Sequence, residues 1–275
     1  MAKKQQAQEK KRGQMIAVCS ARGGSGRTTL TVNLAVALSK KNIPVSILDG
    51  DFQFGDVSLA MDLQPAYTIK DVVEQISRID EHLLNNYLTV HESGVKVLPA
   101  PERPEHAELI KSESLLKIID LMLQQSEYLV VDTGVGFQEQ TIELLEKANQ
   151  ILVVTNLDMV ALRNTKTLLQ TLTVIGLRDR VQIVVNRSTM ESVLQASQIP
   201  EMLDDEHLIY IPNNFQMASR ALNLGIPFVT SHGRSEMARS ILKLAEQIIS
   251  GNQPAVNKIE KRKWFNRKYR GGDIK

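Results

Sequence analysis

A glycine-rich turn between an apolar run and a helical segment constrains the fold of this chain more than any other feature. Residues 15–20 read MIAVCS, residues 21–29 read ARGGSGRTT, and a helical pattern continues to residue 40. In such a layout, backbone N–H groups and a helix N-terminus surround a polyphosphate. The sequence therefore predicts a phosphate-binding loop at residues 21–29.

The predicted loop departs from the usual pattern G-x-x-x-x-G-K-[ST] at two positions. Ala21 replaces the first glycine and Arg27 replaces the lysine, whereas Gly26 and Thr28 fit the pattern. The usual lysine is a slim point charge, and the guanidinium of arginine is bulkier and planar, so the two are not equivalent. We expect this departure from the pattern to affect hydrolysis of a bound polyphosphate more than its binding.

Short continuous apolar runs alternate with helical segments along the rest of the chain. Strands are predicted at residues 15–20, 45–48, 95–98, 128–131, 151–155, 181–185 and 208–211. Helices are predicted at residues 28–40, 69–76, 80–86, 112–125, 138–148, 158–175, 190–198, 215–223 and 235–249. Continuous apolar strands are typical of a parallel sheet with helices on both faces. We therefore predict a three-layer, doubly wound, mostly parallel α/β domain over residues 15–250.

Polar residues follow five of these strands at their carboxyl ends, where doubly wound sheets bind ligands. The phosphate loop follows the first strand, and the others end at Asp49 and Asp51, at Asp132, at Asn186-Arg187 and at Pro212-Asn213. Five such ends are stronger evidence for a nucleotide site than a single glycine motif.

Several of these residues have chemistry suited to phosphate transfer. Thr28 and Asp132 are candidates to bind Mg²⁺, and Asp51 is a candidate to position an attacking water. Asp49 either supports the metal or is a turn-forming carboxylate, since Asp is common in turns. Gly134 and Gly136, just after Asp132, suit a switch segment or a plain tight turn.

Charge and composition narrow the classes of function. We expect residues 1–14 to form a basic flexible arm. The net charge is +2, but this arm carries +4 and residues 254–275 carry +6, which leaves −8 for the body. An acidic body with basic tails disfavours DNA binding and points to an anionic partner of the tails. The single cysteine, Cys19, permits no intrachain disulfide. Without an apolar run of about 20 residues, we expect a cytoplasmic protein, free or held at the inner membrane surface.

Residues 22–29 resemble the deviant Walker A box of the ParA/MinD ATPases, K-G-G-x-G-K-T-T. Residues 49–51 (DGD) resemble the first switch of that family, and residues 131–134 (VDTG) resemble its Walker B motif and second switch. Residues 185–187 and 211–212 resemble its adenine-contacting segments. The match runs in order over about residues 15–250. This resemblance implies the P-loop NTPase fold of the SIMIBI type.

The resemblance implies ATP and Mg²⁺ as ligands and a homodimer that encloses two nucleotides. The implied nucleotide-binding residues are Gly23, Gly24, Ser25, Gly26, Arg27, Thr28, Thr29, Asn186, Arg187 and Pro212. The implied metal site comprises Thr28, Asp51 and Asp132, and the implied catalytic residues are Asp51, Arg22 and Arg27. Arg22 stands where the family has a lysine that reaches the partner's phosphates, and it could act there as an arginine finger. With Arg27 in place of the other lysine, we expect weakened ATP binding and slow or absent hydrolysis.

Within the family, residues 51–57 (DFQFGDV), 99–101, 105–109 and 220–227 resemble the CpaE/TadZ branch, which localises pili. That branch usually carries a receiver-like domain before the ATPase, and only 14 residues precede the first strand here. The size of the chain matches MinD and the flagellar-number ATPase FlhG, so a division or flagellar role is the first alternative. The second is a pseudo-ATPase scaffold that does not hydrolyse ATP.

The tail at residues 251–275 contains the run KRKWFNRKYR at residues 261–270. Basic clusters with aromatic residues bind anionic membrane surfaces, and MinD-type proteins end in a similar segment. However, the apolar residues of this tail spread around a helical projection instead of forming one stripe. Membrane binding through residues 258–270, a protein partner or a solvated tail, and nucleic acid therefore remain alternatives, in that order.

Overall fold

The computed structural model describes residues 12–251, in which eight strands form a single sheet. The strand order is β3-β4-β2-β5-β1-β6-β7-β8, and all strands run parallel except β3, which is antiparallel to β4. The strands are β1 (Gln14–Cys19), β2 (Val45–Gly50), β3 (Thr89–Val90), β4 (Lys96–Leu98), β5 (Tyr128–Thr133), β6 (Gln150–Asn156), β7 (Val181–Asn186) and β8 (Leu208–Tyr210). The predicted parallel sheet is confirmed.

Helices cover both faces of this sheet. They are α1 (Arg27–Ser39), α2 (Val57–Ala60), α3 (Ile69–Glu74), α4 (Glu81–Asn85), α5 (Ser112–Gln125), α6 (Glu139–Lys147), α7 (Met159–Val174), α8 (Ile199–Leu203), α9 (Phe215–Leu224), α10 (Phe228–Ser231) and α11 (Glu236–Ile249). Met15 and Ala17 of β1 belong to one buried core, and Ile16 and Val18 belong to a second core on the other face. Because both faces are buried, the strands need apolar residues at every position.

The helix predicted at residues 190–198 is wrong. A short 3-10 turn, Ala196–Gln198, leads instead into α8, which begins at Ile199 with Pro200 in its first turn. Proline suits that place, because the first N–H groups of a helix have no partner within the helix. The helix α5 begins at Ser112, as predicted, and the hydroxyl of this residue lies 3.4 Å from Glu139 Oε1.

The strand register gathers the predicted polar ends at one edge. Asp132 of β5 is aligned with Val18 of β1 and with Asp49 of β2, and Asn156 of β6 is aligned with Asn186 of β7. The loop after β1 is therefore flanked by the ends of β5 and β6.

The helices at residues 12–251 are each too short or too polar to cross a membrane. The predictions for the first residues of the basic arm, 1–11, and for the tail at residues 252–275 lie outside the described residues.

Candidate nucleotide-binding site

The loop between β1 and α1 needs glycine at two positions. Gly24 has φ +75° and Gly26 has φ +96°, in the left-handed region that other residues rarely adopt. A Cβ at Gly26 would lie 2.4 Å from Nδ2 of Asn186, so a side chain there would also collide with β7. Gly26 immediately precedes α1, so this backbone turn sets how the helix N-terminus faces the loop.

Side chains at the end of β7 hold the loop by its carbonyl groups. Asn186 Nδ2 donates to Ser25 O at 2.9 Å, and Arg187 Nη2 donates to Gly24 O at 3.3 Å. In the described part of the chain, the backbone N–H groups of residues 22–26 donate no hydrogen bond. The loop therefore presents free N–H donors, as an anion site requires.

Two buried donors at the loop also lack a partner among residues 12–251. They are the hydroxyl Oγ of Ser25 and the guanidinium nitrogen Nη1 of Arg27. An unpaired buried donor costs free energy, and a bound anion removes that cost by accepting from it. The residues present therefore fit a phosphate group.

The second nitrogen of Arg27 is held by the first predicted switch. Arg27 Nη2 lies 3.2 Å from Asp51 Oδ2, and the two side chains are only 9% and 19% exposed. A Cβ at Gly134 would lie 3.7 Å from Asp51 Oδ1, so the segment after β5 lies beside the same pair. The structure thus brings the substituted loop position together with both predicted switches.

Asp132 and Thr28 form the predicted metal-binding pair. Thr28 Oγ1 donates to Asp132 Oδ2 at 2.6 Å, and Thr31 Oγ1 donates to Oδ1 at 3.2 Å. Burial raises the pKa of Asp132 to about 6, against the opposing effect of the Thr28 bond and the Arg27 charge. No group of three or more His, Cys, Asp or Glu residues within residues 12–251 could hold a metal. Mg²⁺ in nucleotide sites commonly has only one or two protein ligands besides phosphate oxygens and water, which Thr28 and Asp132 can supply.

Asp49 has the hydrogen bonds of a turn-forming carboxylate, and its support of the metal stays a prediction. Its Oδ1 accepts from the N–H of Asp51 at 3.3 Å, and its Oδ2 accepts from the N–H of Val57 at 3.1 Å. Burial, and then the nearby Asp132, raises its pKa well above the ordinary value. A Cβ at Gly55 would lie 2.4 Å from Asp49 Oδ2, so the loop wraps closely around this side chain.

Arg22 lies at the exposed rim of the loop. Its Nη1 is 3.8 Å from Oδ1 of Asp158, a residue that the sequence did not single out. Asp158 also caps α7 by accepting from the N–H of Ala161 at 2.8 Å, so its position was recognisable only as a helix start. Both residues line a cavity of about 250 Å³ beside the loop, together with Gly23.

A second cavity, of about 300 Å³, lies between the loop and the ends of β7 and β8. The predicted nucleotide-binding residues that line it are Gly26, Thr29, Asn186, Arg187 and Pro212. Sequence reasoning missed Phe215, which begins α9 and is the exposed one of the two aromatic residues in the lining, the other being the buried Phe228. The cavity meets the loop at Gly26, so one ligand can reach both.

A glycine loop after β1, a carboxylate at the end of the neighbouring β5 and a parallel sheet define the P-loop NTPase class. Residues 13–186 match the family model AAA_31, described as an AAA domain. The chain belongs to the ParA/MinD family of P-loop ATPases.

Known relatives agree with this assignment over most of the chain. The septum site-determining protein MinD of Thermotoga maritima is 26% identical over 253 residues, which are 89% of this chain and 91% of the relative. A ParA family ATPase from Chlorobium tepidum has a TM-score of 0.79 at 22% identity and covers 85% of this chain and 98% of its own. MinD from Pyrococcus horikoshii, complexed with Mg-ADP, has a TM-score of 0.76 at 24% identity, with 87% and 98% covered. These two structures are evidence for the shared fold.

Proposed function

We propose that this chain is an ATP-binding switch protein that positions other cell structures, as ParA/MinD-type proteins do. The observation that carries the proposal is the pair of buried, unpartnered donors, Ser25 Oγ and Arg27 Nη1, in a loop whose N–H groups are free. A polyphosphate satisfies all of these donors at once. The adjoining cavity has room for the rest of a nucleotide.

Thr28 and Asp132 are the residues that would hold Mg²⁺, with Asp51, the partner of Arg27, as a third candidate. Mg²⁺ neutralises the charge that develops on phosphate oxygens during transfer. The Thr28–Asp132 hydrogen bond of 2.6 Å supports this assignment, because it already places two oxygen ligands together.

Hydrolysis is proposed to be slow or absent because Asp51 is engaged by Arg27. A carboxylate that accepts from a guanidinium is a poorer acceptor for the proton of an attacking water. The same contact directs the guanidinium towards the switch, whereas a lysine in the loop serves as a point charge on the phosphates.

We further propose that ATP drives formation of a homodimer. Exposed apolar side chains surround the site, among them Val135 and Phe137 after β5 and Met159 and Val160 on α7. Arg22 stands at the same rim, exposed and within reach of a second subunit. Exposed apolar groups around a polar site are typical of an association surface.

Light scattering during gel filtration tests the dimer. The wild type is expected to elute as a dimer in ATP and as a monomer in ADP, and Arg22→Ala is expected to stay monomeric in both. Lys41→Ala, an exposed cation distant in sequence from the loop, serves as the control and should behave as the wild type. Identical elution of the wild type in ATP and ADP would contradict the proposal.

The proposed cargo is a type IV (Tad-like) pilus or a component of its polar assembly machinery. The resemblance of residues 51–57 to the pilus-localisation branch supports it, and in the structure Phe54 of that segment is exposed beside the switch residue Asp51. Deletion in the source cell should displace or abolish pili. A division or flagellar defect with normal pili would instead favour the MinD/FlhG-like alternative, which the T. maritima relative supports.

The Arg27–Asp51 contact also favours the alternative of a non-hydrolysing scaffold. A switch and a scaffold would respond differently to ATP. If ATP changes neither the oligomeric state nor the cellular position of the protein, the protein is a scaffold and not a switch.

Residues 258–270, outside the described part of the chain, are proposed to hold this cytoplasmic protein peripherally at anionic membrane. The basic residues and aromatics of that segment support this proposal. Co-sedimentation with anionic vesicles should be lost in a chain cut at Pro254. Equal sedimentation of both chains would contradict membrane binding through residues 258–270. DNA is not proposed as a partner, because the acidic body would repel a duplex.

A further inference from the structure

Phe215 is an exposed aromatic side chain at the opening of the 300 Å³ cavity. It is the first residue of α9 and remains 63% exposed although it lines the cavity. In residues 12–251 the one pair of aromatic rings in contact is Tyr67 with Tyr87, tilted by 53°, so the ring of Phe215 packs against no other aromatic ring. Hydration of an exposed ring beside an apolar cavity is unfavourable. Packing against a flat ligand buries the ring and is favourable in free energy.

Hydrogen bonds fix the backbone that carries Phe215. The Oδ1 of Asn214 accepts from the N–H of Met217 at 3.0 Å and so caps α9. The N–H of Asn213 donates to Thr189 Oγ1 at 2.9 Å, and Ser188 Oγ donates to Ile211 O at 3.0 Å. The loop before Phe215 is thereby tied to the segment after β7, which makes the position of the ring reproducible.

The polar side chains on the opposite wall are already used to hold the phosphate loop. Asn186 donates to Ser25 O, and its Oδ1 accepts from the N–H of Arg187 at 2.9 Å. Arg187 itself donates to Gly24 O. Because these hydrogen bonds occupy Asn186 and Arg187, fewer of their polar atoms are free to bind the edge of a base. Stacking on the face of the base therefore becomes the larger source of affinity.

We propose that Phe215 stacks on the base of the bound nucleotide and is a main determinant of affinity for the nucleoside part. This inference rests on the proposed nucleotide binding. It adds that the base lies across the cavity between α9 and the loop, with an aromatic face on the α9 side. Because every base offers a π-face, stacking gives affinity without strong choice between adenine and guanine.

The test compares the binding of ATP and of inorganic tripolyphosphate by calorimetry in Mg²⁺ buffer. Phe215→Ala should weaken ATP binding about tenfold, in the range of single base–aromatic stacks, and leave tripolyphosphate binding unchanged. Phe215→Tyr should restore the wild-type affinity for ATP. Leu224→Ala, at the other end of α9, removes an exposed apolar side chain away from the cavity and is the matched control.

A fluorescent probe gives a direct readout of stacking. The triphosphate of 2-aminopurine riboside should be quenched on binding to the wild type and to Phe215→Tyr, and much less on binding to Phe215→Ala.

Equal affinity of the wild type and Phe215→Ala for ATP would overturn this inference and leave nucleotide binding intact. An equal loss for ATP and tripolyphosphate would also overturn it, because the substitution would then act through the loop. If the wild type binds neither ligand, both this inference and the proposed function fail.

Discussion

Nη2 of Arg27, in the phosphate loop, lies 3.2 Å from Oδ2 of Asp51, which follows β2. Asp51 also accepts from the N–H of Phe54 through its other oxygen, at 3.3 Å. The ion pair therefore joins the loop to the segment that carries the first predicted switch. Most of its surface is buried, so its loss affects both segments.

Arg27→Lys is expected to raise the rate of ATP hydrolysis at least about tenfold. A lysine has no planar fork to engage Asp51, and its ammonium can serve the phosphates as a point charge. Release of inorganic phosphate under saturating ATP measures the effect.

The matched control for that substitution is Arg12→Lys, which changes an exposed arginine paired with Asp120 on α5. It should leave the rate unchanged. A rate for Arg27→Lys equal to that of the wild type would show that the arginine is not what limits hydrolysis.

Gly26→Ala is expected to destabilise the protein by about 2–4 kcal/mol and to abolish ATP binding. The substitution places a Cβ 2.4 Å from Asn186 Nδ2 at a residue with φ +96°, so both strain and collision result. Denaturation by urea measures the loss of stability, and equilibrium dialysis measures the loss of binding.

Gly94→Ala separates the two causes. Gly94 also has a positive φ, +84°, but a Cβ there meets nothing within 4 Å. It should lose only about 1 kcal/mol, from backbone strain alone, and bind ATP normally. If both alanine variants lose the same stability, the contact between Gly26 and Asn186 has no energetic consequence.

The free energy of unfolding of the nucleotide-free protein is expected to fall as pH rises from about 4 to about 6. The pKa of Asp132 is raised from 3.8 to about 6, so in this window the folded state keeps a proton that the unfolded state has released. The loss is at most about 3 kcal/mol. Asp49, whose pKa is raised in the same direction, adds to it.

Asp132→Asn should flatten this dependence and make the nucleotide-free protein roughly 1–3 kcal/mol more stable at pH 8, because no charge is then buried. It should also lose the contribution of Mg²⁺ to ATP binding. Asp120→Asn, an exposed carboxylate on α5, is the control and should keep the wild-type pH profile. An unchanged profile for Asp132→Asn would contradict the assigned pKa.

The fold was predictable from sequence because the strands are continuous apolar runs. Ile16 and Val18 face one core and Ala17 the other, a pattern that only a sheet buried on both faces requires. Helix positions failed where local chemistry decides, as at α8, where Pro200 sets the start of the helix.

The site was predictable as a set of strand ends but not in its contacts. The sequence placed Arg27 in the loop, yet the direction of a long side chain depends on tertiary neighbours, and Asp51 is 24 residues away. Asp49 could not be separated from Asp51 by spacing, because its hydrogen bond to Val57 forms only when the following loop folds back. Phe215 was missed for the same reason, since its cavity is built from segments that are distant in sequence.

Equilibrium dialysis with radiolabelled ATP, with and without Mg²⁺, measures nucleotide binding directly, and hydrolysis is followed in the same samples. We expect one bound ATP per chain, weaker binding when Mg²⁺ is removed, and label that remains as ATP over the hours of dialysis. Absence of bound ATP in Mg²⁺ buffer would contradict the nucleotide site. Rapid conversion of the label to ADP would contradict the role assigned to the Arg27–Asp51 pair.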